Sequence, residues 1–230
     1  MNALELAVNF FIALFALLDP IGNVPIFAAA TAGASAAGRR LTAAYIALFI
    51  IAFMAFFYLT GLGLLEFFGI SLAAFRIAGG ILLFMLGLDM TRDDFLKMFE
   101  DVEASVGDEP GAMAYAKRRF TRLVVPFAMP LLIGPGAISA VIIQAGEAQR
   151  LGAAGLAAGL GAIVAAGLAI MASFWAAGPI GRVLGKVGMA IVVRVLGLIL
   201  CALAVQFIIA GLAEATQGII SQGIAQPYGH

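Results

Sequence analysis

At 230 residues, 63% hydrophobic and only 11% charged, the chain is too apolar for a soluble domain, where those shares average roughly 45–50% and about 25%. Thirteen basic side chains balance thirteen acidic ones, so no net charge draws it to nucleic acid, and a lone cysteine, Cys201, excludes an internal disulfide and a CxxC metal site. A mean hydropathy of +1.10 describes an all-α polytopic membrane protein whose partner is the lipid bilayer.

A crossing takes about 20 mostly apolar residues. Six segments qualify: 4–33, 41–65, 70–90, 121–146, 152–178 and 189–213. The first has no basic residue before it, so it is expected to direct insertion itself. It is interrupted at its centre by LLDPIGNVPIF, which begins at Leu17. Pro20 and Pro25 each remove a backbone donor, and Gly22 permits backbone angles that other residues resist. Asn23 is placed to cap the helix that resumes near Pro25. Asp19 is the one acid in the middle of a span. An aspartate there costs about 2.5–3.5 kcal/mol on insertion scales and usually marks function, although it would also serve as a cap at a helix break.

The second and third spans lead to a polar stretch, 91–119, with seven acids and five bases, which reads as a solvated connecting loop with at most a short helix. If all six segments cross, eleven of the thirteen Lys and Arg residues fall on one side. That side is the cytoplasm and both termini lie outside. If the two broken segments were re-entrant hairpins, the division would be a poorer nine against four.

The fourth span repeats the interruption as LLIGPGAISAV, beginning at Leu131, with Pro130, Gly134, Pro135 and Gly136. FRIAGGILLFML at Phe75 likewise matches VRVLGLILCALA at Val193, pairing Arg76 with Arg194 and Gly79 with Gly197 at an offset of 118. Three spans per half is an odd number, so the expected fold is two inverted three-helix repeats with broken first helices. They occupy 1–90 and 120–230, with 91–119 as the cytoplasmic connector. Transporters recurrently use this plan, with the substrate near the midplane at discontinuous helices.

Broken helices leave unpaired backbone groups that lipid cannot satisfy. Helix starts near Pro25 and Pro135 would offer partial positive charge to a carboxylate. The helix ends before them, with Asp19, would offer negative charge to an ammonium group, Na⁺ or H⁺. Asp19, Pro20, Gly22, Asn23, Gly134, Pro135, Gly136 and Ser139 are therefore the candidate binding residues of one small, two-signed site. Ser139 would touch substrate or bond its own helix, and Thr31 has the same two readings. Arg76 and Arg194 would snorkel or pair with an acid, or else act as gates.

DPIGNVPIF, FRIAGGILL, PLLIGPGAISAVI and RVLGLIL with Gln206 together resemble the MarC family over nearly the whole chain. The resemblance implies a six-span protein of the bacterial or archaeal cytoplasmic membrane, transporting glycine- or alanine-like amino acids with a cation gradient, Na⁺ or H⁺, as driver. A channel for a small neutral solute would use the same breaks without alternating states. An enzyme is disfavoured, because no nucleophile–base pair or metal cluster is evident and the single His230 ends the chain. A scaffold without transport is the fourth class. Gly155 and Gly159 form a GxxxG pair that reads as packing within one protomer, or as a contact of a homo-oligomer.

Overall fold

The computed structural model describes residues 2–92, 111–124, 128–129 and 132–216. Most of the 91–119 connector, Pro130 and the tail with His230 lie outside them. Among the described residues the chain is helical throughout, without strands. The elements are α1 (Ala3–Leu18), α2 (Val24–Ala30), α3 (Ala36–Phe68), α4 (Leu72–Thr91), α5 (Ala112–Leu123), α6 (Pro135–Arg150), α7 (Gly152–Trp175) and α8 (Ala177–Ala215).

Local chemistry sets the boundaries. Asn2 and Glu5 form a reciprocal capping box at the start of α1. Ser35 and Ser71 accept from Gly38 N–H and Ala74 N–H to start α3 and α4. Gly69, at φ 64°, ends α3 in the left-handed conformation that glycine adopts without cost. Within α8, Gly185 takes φ 60° and ψ −176°, which breaks the helix into a short leading piece and an apolar rod.

Among the described residues, four helices are long and apolar enough to cross a membrane by length and composition: α3, α4, α7 and the Ala190–Ala215 part of α8. The first and fourth expected spans do not form single rods. The first is divided between α1, at 16 residues, and the seven-residue α2; the fourth is interrupted before α6. The same prolines and glycines that mark the breaks in sequence shorten the helices beside them. Leu48, Phe56, Leu82 and Leu198 are exposed on the outer faces of α3, α4 and α8, as side chains in contact with acyl chains would be.

α5 begins at Ala112, inside the stretch read as a loop, so the boundary placed at 119/120 cuts through a helix. Between α5 and the second break, Val124, Ala128, Met129 and Leu132 are π-wound. Arg119 in α5 is fully buried, and its guanidinium donates to the carbonyl oxygen of Ala30 at the end of α2. A cation at a helix C-terminus complements the dipole there.

α7 packs against α1, α3 and α6. Phe27 of α2 stacks on Phe174 at 4.3 Å, and Phe10 of α1 on Tyr58 of α3 at 5.9 Å. The Tyr58 hydroxyl donates to the carbonyl of Gly155 at 3.4 Å, and Gly159 makes room for the same phenol. The GxxxG pair is thus spent on internal packing. The most extensive interface joins α4 to α8. A Cβ at Gly197 would lie 2.8 Å from the Gly87 carbonyl oxygen, and one at Gly211 would lie 2.9 Å from that of Ala73. The two backbones therefore touch directly and run antiparallel, the small-residue packing expected in lipid.

Candidate functional site

At the first break, α1 ends on Asp19, the one non-glycine residue described with positive φ (41°). Its N–H still donates to Phe15 O, after which Pro20 prevents another helical bond. The Asp19 carboxylate folds forward, and its Oδ1 accepts from Gly22 N–H at 3.0 Å. A side chain at Gly22 would collide with that carboxylate. Asn23 does not cap α2 as the sequence suggests. Its Nδ2 reaches backward and donates to Leu18 O at 3.1 Å and Asp19 O at 3.0 Å, closing two of the carbonyls at the end of α1. A carboxamide carries both donor and acceptor, and here the carbonyls already in line are the nearer partners.

At the second break, Gly134 occupies the cap position of α6, with Pro135 in the first turn and Ile138 N–H donating to Gly134 O at 3.2 Å. Gly136 is buried with Phe207 of α8 against it, where any Cβ would strike the ring. Ser139, one turn in, is 2% exposed, and its Oγ has no hydrogen-bond partner among the described residues. A buried, unpaired hydroxyl costs roughly 1–3 kcal/mol, so its presence calls for a reason.

Of the residues the sequence reading placed in one site, Gly136 and Ser139 line one cavity and Asp19 and Asn23 line an adjoining one, while Pro20, Gly22 and Gly134 line neither. The larger, about 380 Å³, is lined by Gly136 and Ser139 of α6, Arg76 of α4 and Gln206 of α8. The smaller, about 180 Å³, is lined by Ala16, Asp19 and Asn23 on the α1 side and by Met90, Leu196 and Leu200 opposite. Leu17 and Leu203 belong to the walls of both. Two apolar side chains thus stand between a helix start and a helix end of opposite polarity.

Across residues 4–216 the chain matches the model of the family described as MarC family integral membrane protein. It belongs to the MarC family. It is 36% identical to a UPF0056 membrane protein of Methanocaldococcus jannaschii over 89% of this chain and 95% of that one. It is 34% identical to the UPF0056 membrane protein YhcE of Escherichia coli over 93% and 94%. A relative from Archaeoglobus fulgidus is 36% identical over 89% and 91%. Similar proteins thus occur in both bacteria and archaea, and no solved structure matches the chain.

In this MarC protein Arg76 pairs with Glu214, Nη1 to Oε2 at 2.8 Å, and also lines the larger cavity. Arg194 is exposed on α8 and lines neither cavity, so it is not brought to the site. Pro20 is buried at the first break and Gly134 at the second. Thr31 donates to Phe27 O at 2.8 Å, bonding its own helix. Leu17, Leu203, Phe207 and Glu214 were not among the expected site residues. No local signal marks the leucines in a chain this apolar. Glu214, an acid closing an apolar run, was the detectable one.

Proposed function

We propose that this protein is a secondary transporter for small neutral amino acids of the glycine and alanine type. The carrying observation is the buried Ser139 hydroxyl without a partner, facing a cavity at the start of α6. The first-turn N–H groups of α6 carry partial positive charge, and the Arg76 guanidinium lines the same wall. A substrate carboxylate is the complementary group, and Ser139 and Gln206 supply neutral hydrogen-bonding capacity. At about 380 Å³ the cavity sits at the small end of the roughly 300–1,000 Å³ typical of ligand sites. Gly136, held against Phe207, keeps the wall close.

Two inverted halves, 1–90 and 120–230, provide the moving parts in this reading. Exchanging the halves preserves the main contacts: α1 packs on α7 as α5 packs on α3, and α2 on α8 as α6 on α4. The offset that equates Arg76 with Arg194 also equates Leu83 with Cys201, and Cys201 Sγ lies 3.7 Å from the Phe84 carbonyl in the α4–α8 interface. A pseudo-two-fold axis there accounts for both. Six crossings with both termini outside follow from the basic-residue distribution, and a coupling cation, Na⁺ or H⁺, belongs at Asp19.

Purified protein tested for thermal stabilisation by a panel of amino acids decides the substrate class. Glycine or alanine should raise the melting temperature of the wild type and not of Ser139→Ala. Equal stabilisation of both would remove Ser139 from the site. A passive pore is the second reading, favoured only by the adjacency of the two cavities across Leu17 and Leu203.

A further inference from the structure

We propose that the smaller cavity is a Na⁺ site formed by the main-chain carbonyls of Ala16 and Leu17 with the carboxylate of Asp19. The helical donor for the Ala16 carbonyl would be residue 20, and Pro20 has no N–H. The donor for Leu17 would be Ile21 N–H, yet after the left-handed turn at Asp19 the next backbone bonds are Asn23 N–H to Asp19 O and Val24 N–H to Ile21 O. Asn23 Nδ2 closes the Leu18 and Asp19 carbonyls. Four carbonyls end α1, and those of Ala16 and Leu17 are left without a hydrogen bond from the described residues; both residues line the cavity with Asp19.

Ala16 and Asp19 are exposed and Leu17 is half-buried in the isolated chain; where lipid rather than water covers such a break, each unsatisfied carbonyl costs several kcal/mol unless something answers it. The negative end of the α1 dipole and a carboxylate converge on a wall with no basic residue, so the answering group is a cation. Oxygen-only polar donors suit a hard ion, and a single carboxylate suits a monovalent one. No group of three or more His, Cys, Asp or Glu side chains gathers among the described residues, as a divalent ion would favour. A protonated carboxyl would offer one O–H donor, enough for only one of the two carbonyls, whereas Na⁺ can contact all three groups. Unwound carbonyls at a half-helix end are a known solution for ion coupling. The role of this ion as the driver rests on the transport reading above, but its binding is measurable without substrate.

Binding of ²²Na⁺ to the purified protein, by scintillation proximity against choline chloride, tests the site. The wild type should bind ²²Na⁺ saturably, and unlabelled Na⁺ should displace it better than K⁺. Asp19→Asn, which keeps an acceptor for Gly22 N–H and tolerates the left-handed turn, should lose the binding. Pro20→Ala, which restores a donor to Ala16 while keeping the charge, should weaken it. Gly63→Ala, whose Cβ would meet nothing within 4 Å, should bind as the wild type does. Helical circular dichroism of each variant confirms folding. Absence of saturable binding in the wild type, or undiminished binding in folded Asp19→Asn, overturns the proposal. Amino-acid binding without ²²Na⁺ binding would sink the ion site and leave the transport reading; the converse would leave the ion site alone standing.

Discussion

The Arg76 guanidinium lies 2.8 Å from a carboxylate oxygen of Glu214, tying the start of α4 to the end of α8 beside the larger cavity. On the transport reading, a substrate carboxylate in that cavity would compete with Glu214 for the same cation. Glu214 is 39% exposed at its side chain, so the pair contributes under about 1 kcal/mol to folding. Glu214→Gln should leave the melting temperature nearly unchanged and shift the half-saturation for amino-acid uptake by about threefold or more, with the swap Arg76→Glu/Glu214→Arg failing to restore it. Unchanged uptake kinetics in Glu214→Gln would reduce the pair to a surface contact.

Ser139→Ala should move stability and binding in opposite directions. Removing an unpartnered buried hydroxyl raises stability by about 1 kcal/mol. Losing the substrate contact should weaken amino-acid affinity by about tenfold, the same order of free energy. Chemical denaturation and equilibrium binding on one preparation test both. A loss of stability would show that the hydroxyl is structural.

Gly22→Ala and Gly63→Ala separate the broken segment from an ordinary helical glycine. A Cβ at Gly22 runs into the Asp19 carboxylate, whereas nothing lies within 4 Å of one at Gly63. Gly22→Ala should destabilise by about 1–3 kcal/mol and disturb cation binding. Gly63→Ala should be neutral, or stabilising by up to about 1 kcal/mol through helix propensity.

Gly197→Ala should lower stability by about 1–3 kcal/mol, because its Cβ would meet the Gly87 carbonyl oxygen at 2.8 Å and the α4–α8 backbones would have to separate. Thermal unfolding in detergent measures it. A neutral result would mean the two helices already stand further apart than this packing requires.

The breaks themselves were legible, because proline and glycine in the middle of an apolar run have few physical uses. Asp19 as their charged element was equally plain. The direction of Asn23 was not: one residue lies between a helix end and a helix start, and sequence does not say which terminus its side chain serves. The pairing of Arg76 is only one of the readings its sequence allows, beside snorkelling and gating, since its partner is 138 residues away. Arg119 was lost in the average polarity of its neighbours, although α5 is strongly amphipathic and buries it on one face with Ala116 and Leu123. The two cavities share Leu17 and Leu203 as walls, and the tertiary placement of such apolar residues leaves no trace in a local pattern.

The central claim is alternating transport through a site at the second break. Proteoliposomes preloaded with unlabelled alanine test it directly by counterflow of labelled alanine. The account requires a transient, saturable accumulation of label above equilibrium, reduced in Ser139→Ala. Linear, non-saturating entry without overshoot would contradict it and assign these broken helices to a pore.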